Sequence, residues 1–181
     1  MAVHGLRGAN VTRIVARAGV ARGMVNLHFG SKDRLLLEAI EQQSALYLAH
    51  IAAAVERAGS EPADQLRSLI ETDLGEGLLN ERSTAIWFAY RGEAAADPRL
   101  LPFVESRDPQ LHARIAGILR AASRRVRAGD ERAADLARGL MLLLEGAWTD
   151  YHLHARQFDR EAVRRICTDF ALRALEEIAE P

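Results

Sequence analysis

The sequence predicts an all-α protein in which two short N-terminal helices precede a larger helical bundle. Three observations carry that prediction. Apolar residues recur at three- and four-residue spacing through most of the chain. No segment combines β-branched alternation with hairpin turns. Helix punctuation is dense: Gly19, Gly30-Ser31, Ala58-Gly59-Ser60, Asp108-Pro109, Gly129 and Asp159 are each suited to stop or cap a helix. With 181 residues, 49% of them apolar, the chain can bury a sizeable core, as one large domain or a small one joined to a larger. It has no internal repeat and no low-complexity linker.

Asn10 is placed to cap a helix whose residues Val11, Ile14, Val15 and Ala18 share one face. Gly19 ends that helix where a positive φ is needed, and Val20 plugs the turn. A second short helix is expected from Arg22 to about His28. Gly30 and Ser31 end it, and Ser31 caps a long helix from Lys32 to about Arg57. Two short helices joined by a short glycine turn make the helix-turn-helix pattern, whose second helix enters the major groove of DNA. Arg22, Asn26 and His28 put three polar side chains on that second helix. It has too little apolar surface to exist for packing alone.

Downstream, Ser60 is expected to cap a helix with Pro62 in its first turn and Leu66, Leu69, Ile70 and Leu74 on its apolar side. Ser83 precedes the densest aromatic stretch, Ile86, Trp87, Phe88 and Tyr90. Asp97-Pro98 and Pro102 read as breaks, so the next helix is expected to start with Asp108 as N-cap and Pro109 as its first residue. Leu111, Ile115, Ile118, Ala122 and Val126 mark its stripe, Arg124, Arg125 and Arg127 suit its C-terminal dipole, and Gly129 ends it. Asp130 opens the most apolar helix, to about Ala155. Asp159 caps the last, to about Ala179.

The formal net charge of −1 hides an asymmetry. Residues 1–37 hold Arg7, Arg13, Arg17, Arg22, Lys32 and Arg34 against Asp33 alone, leaving 18 of the 24 basic and 24 of the 25 acidic residues for the rest. A basic N-terminal unit on an acidic body suits the phosphate backbone. Residues 1–37 are therefore assigned as the DNA-binding domain and 38–181 as a helical effector-binding and dimerisation domain. The single Cys167 excludes an internal disulfide, and no Cys/His cluster has zinc-finger spacing. No apolar run is long enough to span a membrane, and the N-terminus lacks the apolar core of a signal peptide. A cytoplasmic protein without metal or cofactor is expected.

The segment Leu140–Leu144 is apolar almost all round, so its helix must be buried on more than one side. Gly139 and Gly146, seven apart, would let another helix approach closely. In the last helix Val163, Ile166, Cys167, Phe170, Ala174, Leu175 and Ile178 form a stripe. The bundle is expected to dimerise through these last two helices, with Leu136, Leu140, Leu143, Ala147, Val163, Ile166, Phe170 and Ala174 at the interface. A dimer sets two helix-turn-helix units about 34 Å apart, one duplex turn, and reads a pseudo-palindrome.

Ile14-Val15, Ala18-Gly19-Val20, His28-Phe29, Lys32 and Leu35 together resemble the DNA-binding signature of TetR-family transcriptional regulators. The stretch LLLEGAWTDYHLHARQFDREAVRRICTDF and the Trp87 segment resemble the C-terminal domain of the BetI-type branch. The resemblance spans nearly the whole chain and implies a homodimeric repressor released by a small-molecule effector. Carried over by position, it places Thr12, His28 and Lys32 on phosphates, with Arg13 beside them. Arg22, Gly23, Met24 and Asn26 face base edges and the adjoining backbone. Arg22 can donate twice to guanine and Asn26 can pair with adenine.

Three features depart from the family pattern. Asn26 stands where Tyr is usual, and Ala21 where Ser or Thr is common, which removes a helix cap worth about 1 kcal/mol. Of a full first helix, only Met1 to Leu6 could correspond. Either the true start lies upstream or the reading head is weakened, and the alternative function is a TetR-like dimer that has lost DNA binding. The intact mass of native protein separates the two.

Trp87, Phe88, Tyr90, Phe103, Trp148 and Tyr151, with Glu145, Glu93 and Asp150 as anions, are the candidates for an effector pocket. Aromatic faces beside an anion suit a quaternary ammonium. The BetI-type resemblance implies choline or another cationic or amphipathic compound. The same aromatics also serve as core filler in any helical domain. Asp150, His152 and His154 could be imagined as an enzyme site, but no metal motif, phosphate loop or nucleophile elbow accompanies them, so no catalytic residue is expected.

Overall fold

The computed structural model describes residues 11–94, 97–98, 101–123 and 128–179, without the side chains of residues 22, 101–107 and 128–130. Among the described residues no strand occurs and the long elements are all α-helices. In order they are α1 Val11–Ala18, α2 Arg22–Phe29, α3 Lys32–Arg57, α4 Pro62–Asp73, α5 Glu81–Ala94, α6 Leu101–Ala122, α7 Ala128–His154 and α8 Arg160–Ala179. The chain divides into two compact units. The first takes the described residues up to Leu46 together with 85–107; the second takes Tyr47–Thr84 and the chain from Asp108 onward.

Local chemistry sets most boundaries. Gly19 has φ 68° between α1 and α2, and the Val20 N–H donates to the Val15 carbonyl at 3.1 Å. Gly30 has φ 71° at the end of α2, donating its N–H to the Asn26 carbonyl. An L-residue rarely tolerates either conformation. The Ser31 hydroxyl accepts from the Arg34 N–H at 3.1 Å, capping α3. Asn80 caps α5 by accepting from the Ser83 N–H, and Asp159 caps α8 by accepting from the Ala162 N–H.

Several expected boundaries move. The N-cap of α4 is Glu61 rather than Ser60, with no side-chain bond and Pro62 as the first helical residue. Gly129 lies in the first turn of α7 instead of ending α6, which stops at Ala122. Val126 and the basic run at 124, 125 and 127 lie outside the described residues. The largest change is α6. It begins at Leu101 and runs through Pro109 instead of starting there. Pro102 falls in its first turn, where a missing N–H costs nothing, so it starts a helix rather than breaking one. Pro109 removes a single bond, to the carbonyl four residues back. In the sequence, the apolar spacing Leu101, Val104, Leu111 continues across it.

In the first unit Leu36 and Ile40 of α3 pack with Tyr90 and Ala94 of α5, joined by Ile14, Leu37, Ile86 and Ala89. In the second unit α8 lies against both α4 and α7. Ile51, Leu66, Leu69, Ile70, Leu74, Ile115, Leu119 and Leu140 are fully buried there. Cys167, Ala171, Ala174 and Ile178 bury the inner stripe of α8 at four- and three-residue spacing. A Cβ on Gly139 would lie 2.6 Å from Cζ of Phe170, so this glycine sets the close approach of α7 to α8 within one chain.

Candidate nucleic-acid interface

α1 and α2 pack together, and α2 is held by its buried side. Val25 is 4% exposed and Val15, on α1, is 8% exposed. The opposite side of α2 is open. Gly23, Met24, Asn26 and His28 are exposed, as are Thr12 and Arg13 on α1. Arg22 opens α2, its side chain outside the described residues. No side-chain cap reaches the start of α2, as Ala21 in place of Ser or Thr implied. The His28 ring meets Phe29 edge-on at 6.4 Å. Lys32 is half-buried as the first residue of α3, whose N-terminal N–H groups add positive potential for an anion. The expected contact residues whose side chains are described thus lie on one helix pair and the helix start that follows it. The shortened first helix concerns residues 1–10, which lie outside the described residues.

Two family models match the chain. Residues 1–39 match the N-terminal model of bacterial regulatory proteins of the tetR family, and residues 62–176 match the BetI-type transcriptional repressor C-terminal model. The chain belongs to the TetR family of transcriptional regulators. Among its relatives is the HTH-type transcriptional regulator BetI of Stenotrophomonas maltophilia, 30% identical over 177 residues, covering 94% of this chain and 86% of that protein. BetI 1 of Chromohalobacter salexigens is 29% identical over 92% of this chain and 80% of its own length. Solved structures share the fold: a transcriptional regulator from Pseudomonas aeruginosa PAO1 has a TM-score of 0.80 at 24% identity, covering 98% of this chain and 87% of its own. One from Rhodococcus sp. Rha1 has a TM-score of 0.81 at 22% identity, covering 99% and 92%. Naming of the relatives as regulators along most of this chain does not favour the alternative of a non-binding dimer.

The expected effector residues of this TetR-family chain are distributed over both units. In the first, Tyr90 belongs to the α3–α5 core, where burial pushes its phenol well above the usual range, and Arg91 lies 5.6 Å over the buried Trp87 ring. Phe103 lies on α6 with its side chain outside the described residues. In the second unit Trp148 is 3% exposed and donates its indole N–H to Asp73 Oδ2 at 3.0 Å. The Tyr47 hydroxyl donates to Asp73 Oδ1, and the Tyr47 and Trp148 rings meet edge-on at 6.1 Å. Tyr151 packs edge-on with Phe158 at 5.2 Å, with the Arg160 guanidinium 5.3 Å over its ring. Glu145 is half-buried. An open groove of about 480 Å³ in this unit, lined by Leu48, Val55, Arg114 and Ile118 among others, contains none of these aromatics.

The expected dimer residues also separate. Leu136, Leu140, Ala147 and Ala174 are buried by their own chain, Leu143, Val163 and Phe170 are half-buried, and Ile166 is 54% exposed. Sequence reasoning gave no role to Asp73, although Leu66, Leu69, Ile70 and Asp73 fall at the spacing of one helix face and all four are buried. It divided Met24, Val25, Leu27 and Phe29 between support and exposed apolar contact without separating the two sets.

Proposed function

We propose that this TetR-family chain is a repressor that binds a pseudo-palindromic operator as a homodimer and leaves it when a small-molecule effector binds. The observation that carries the reading is α2, held by Val25 on one side and open on the other, beside a basic helix start. Residues 1–37 supply the reading head and 38–181 the effector and dimer functions. Thr12, Arg13, His28 and Lys32 hold phosphates, while Arg22, Gly23, Met24 and Asn26 face bases. The dimer forms on the outward faces of α7 and α8, where Leu142, Leu153 and Ile166 are exposed. The effector is a cationic or amphipathic compound such as choline. Trp87, Tyr90, Phe103, Trp148, Tyr151 and Glu145 are the candidates for its recognition.

A mobility shift on the upstream promoter fragment over a salt series tests the DNA reading. Arg22→Ala should erase sequence preference, whereas Lys32→Ala should weaken binding to every sequence and lower the salt slope by about one. Equal effects of both variants on specific and random DNA would overturn these roles. Calorimetric titration with choline tests the effector: no heat at millimolar ligand removes choline from consideration.

A further inference from the structure

The outermost line of α2 is apolar. Leu27 is 76% exposed, and Met24 is 38% exposed. At about 100° per residue, Gly23 and Met24 lie about 40° and 60° to either side of Leu27, with buried Val25 about 160° away. Asn26 and His28 sit about 100° off that line, on the flanks. Val20, 44% exposed, leads into the ridge from the turn. A Cβ built on Gly23 meets nothing within 4 Å, so backbone as well as side chain is open beside Leu27. This ridge stands in a segment with Arg13, Arg17, Lys32 and Arg34 against Asp33 alone among the described residues up to 37 whose side chains are placed.

We propose that α2 reads thymine through its C5-methyl group, with Leu27 as the contact residue and Gly23 and Met24 beside it. The inference rests on the operator-binding reading above. The basic surroundings call for a polyanion, and the ridge calls for an apolar group facing out of it. Duplex DNA supplies both: phosphates at the groove edge, and the thymine methyl as the apolar feature of the major-groove floor. Leu27 has no donor or acceptor to offer a base, so its position discriminates by methyl contact alone. Gly23 lets the backbone approach the base step, and Asn26 on the flank is placed for an adjoining adenine.

The test uses the full-length protein and a duplex selected by it from a random pool. That duplex is then made with thymidine or with deoxyuridine, which lacks only the methyl. One buried methyl corresponds to about four-fold in affinity, so a two-fold symmetric pair gives roughly fifteen-fold. Wild type should lose that factor on the deoxyuridine duplex. Leu27→Ala should bind the thymidine duplex weaker by a similar factor and no longer distinguish the two. Random-sequence DNA should bind both proteins equally, which also reports that the exposed Leu27→Ala substitution leaves the domain folded. If wild type binds both duplexes alike, or Leu27→Ala keeps the full discrimination, the methyl reading is overturned while operator binding stands. If no duplex is selected at all, both readings fall, and the ridge belongs to a protein partner.

Discussion

Asp73 anchors a buried polar cluster in the second unit. It is 1% exposed, and both of its oxygens accept hydrogen bonds, one from the Tyr47 hydroxyl and one from the Trp148 indole. A carboxylate in the last turn of α4 sits at the unfavourable end of the helix dipole, so its position must be held by those donors. Asp73→Ala removes the carboxylate that two buried donors share and should cost about 3–5 kcal/mol, read as a fall in the urea midpoint. Asp73→Asn, which retains one acceptor oxygen, should cost less. The neighbouring thiol gives a pH dependence. Burial, and then the Asp73 charge, push Cys167 up to about 11. The folded state therefore holds the proton more tightly than the unfolded one. This contribution is complete below the unfolded thiol value near pH 9 and is lost as pH rises to 11, about 3 kcal/mol in all. Urea unfolding at pH 8 to 11 should show that loss in wild type beyond whatever Cys167→Ala shows. Parallel curves for the two proteins would exclude it.

At the scale of elements, Arg160 joins what the sequence keeps far apart. From the start of α8 its guanidinium donates to the carbonyls of Leu74 and Leu79, closing the end of α4 and the turn beyond it. Its flat face lies over Tyr151 and Phe158. Arg160→Ala should cost about 2–4 kcal/mol in urea unfolding. Arg160→Lys should recover little of it, because a single ammonium cannot match the two-pronged geometry. An undiminished midpoint in Arg160→Ala would show that the α4–α8 junction stands without it. This junction was not legible in the sequence, since hydrogen bonds spanning 81 and 86 residues leave no local pattern. The helices themselves were legible wherever capping chemistry was local: Ser31, Asp159 and Gly19 behave as read. Prolines misled for a physical reason. Pro102 and Pro109 carry the same residue-level signal whether a helix starts at them or runs past them, and only the continuing apolar spacing separates the cases. In the candidate site the helix pair was legible from Gly19 and the basic bias. The order of exposure around α2 was not, because it depends on which face α1 covers.

For the whole molecule, the proposed dimer sets whether the reading head can work. Leu142 and Leu153 are 68% and 66% exposed, and Gly146 and Thr149 between them are exposed as well. Residues 142, 146, 149 and 153 fall within about 60° of one another around α7, so they form one stripe three turns long. Gly146 has open space where a Cβ would be, unlike Gly139, which is already taken up by Phe170. The two glycines therefore answer different needs, one inside the chain and one facing outward. In an isolated subunit Gly146→Ala adds helix propensity and should stabilise by up to about 1 kcal/mol. At a subunit seam the added methyl should instead weaken association. Leu142→Asp with Leu153→Asp gives the stronger test, since both positions are exposed and the charges leave the subunit core untouched. Sedimentation should show wild type at twice the chain mass and the double variant at the chain mass. Loss of pairing turns the second half-site contact from an intramolecular event into an independent one, so operator affinity should fall on the order of 100-fold or more. A double variant that stays dimeric and keeps its operator affinity would place the subunit contact elsewhere on the bundle.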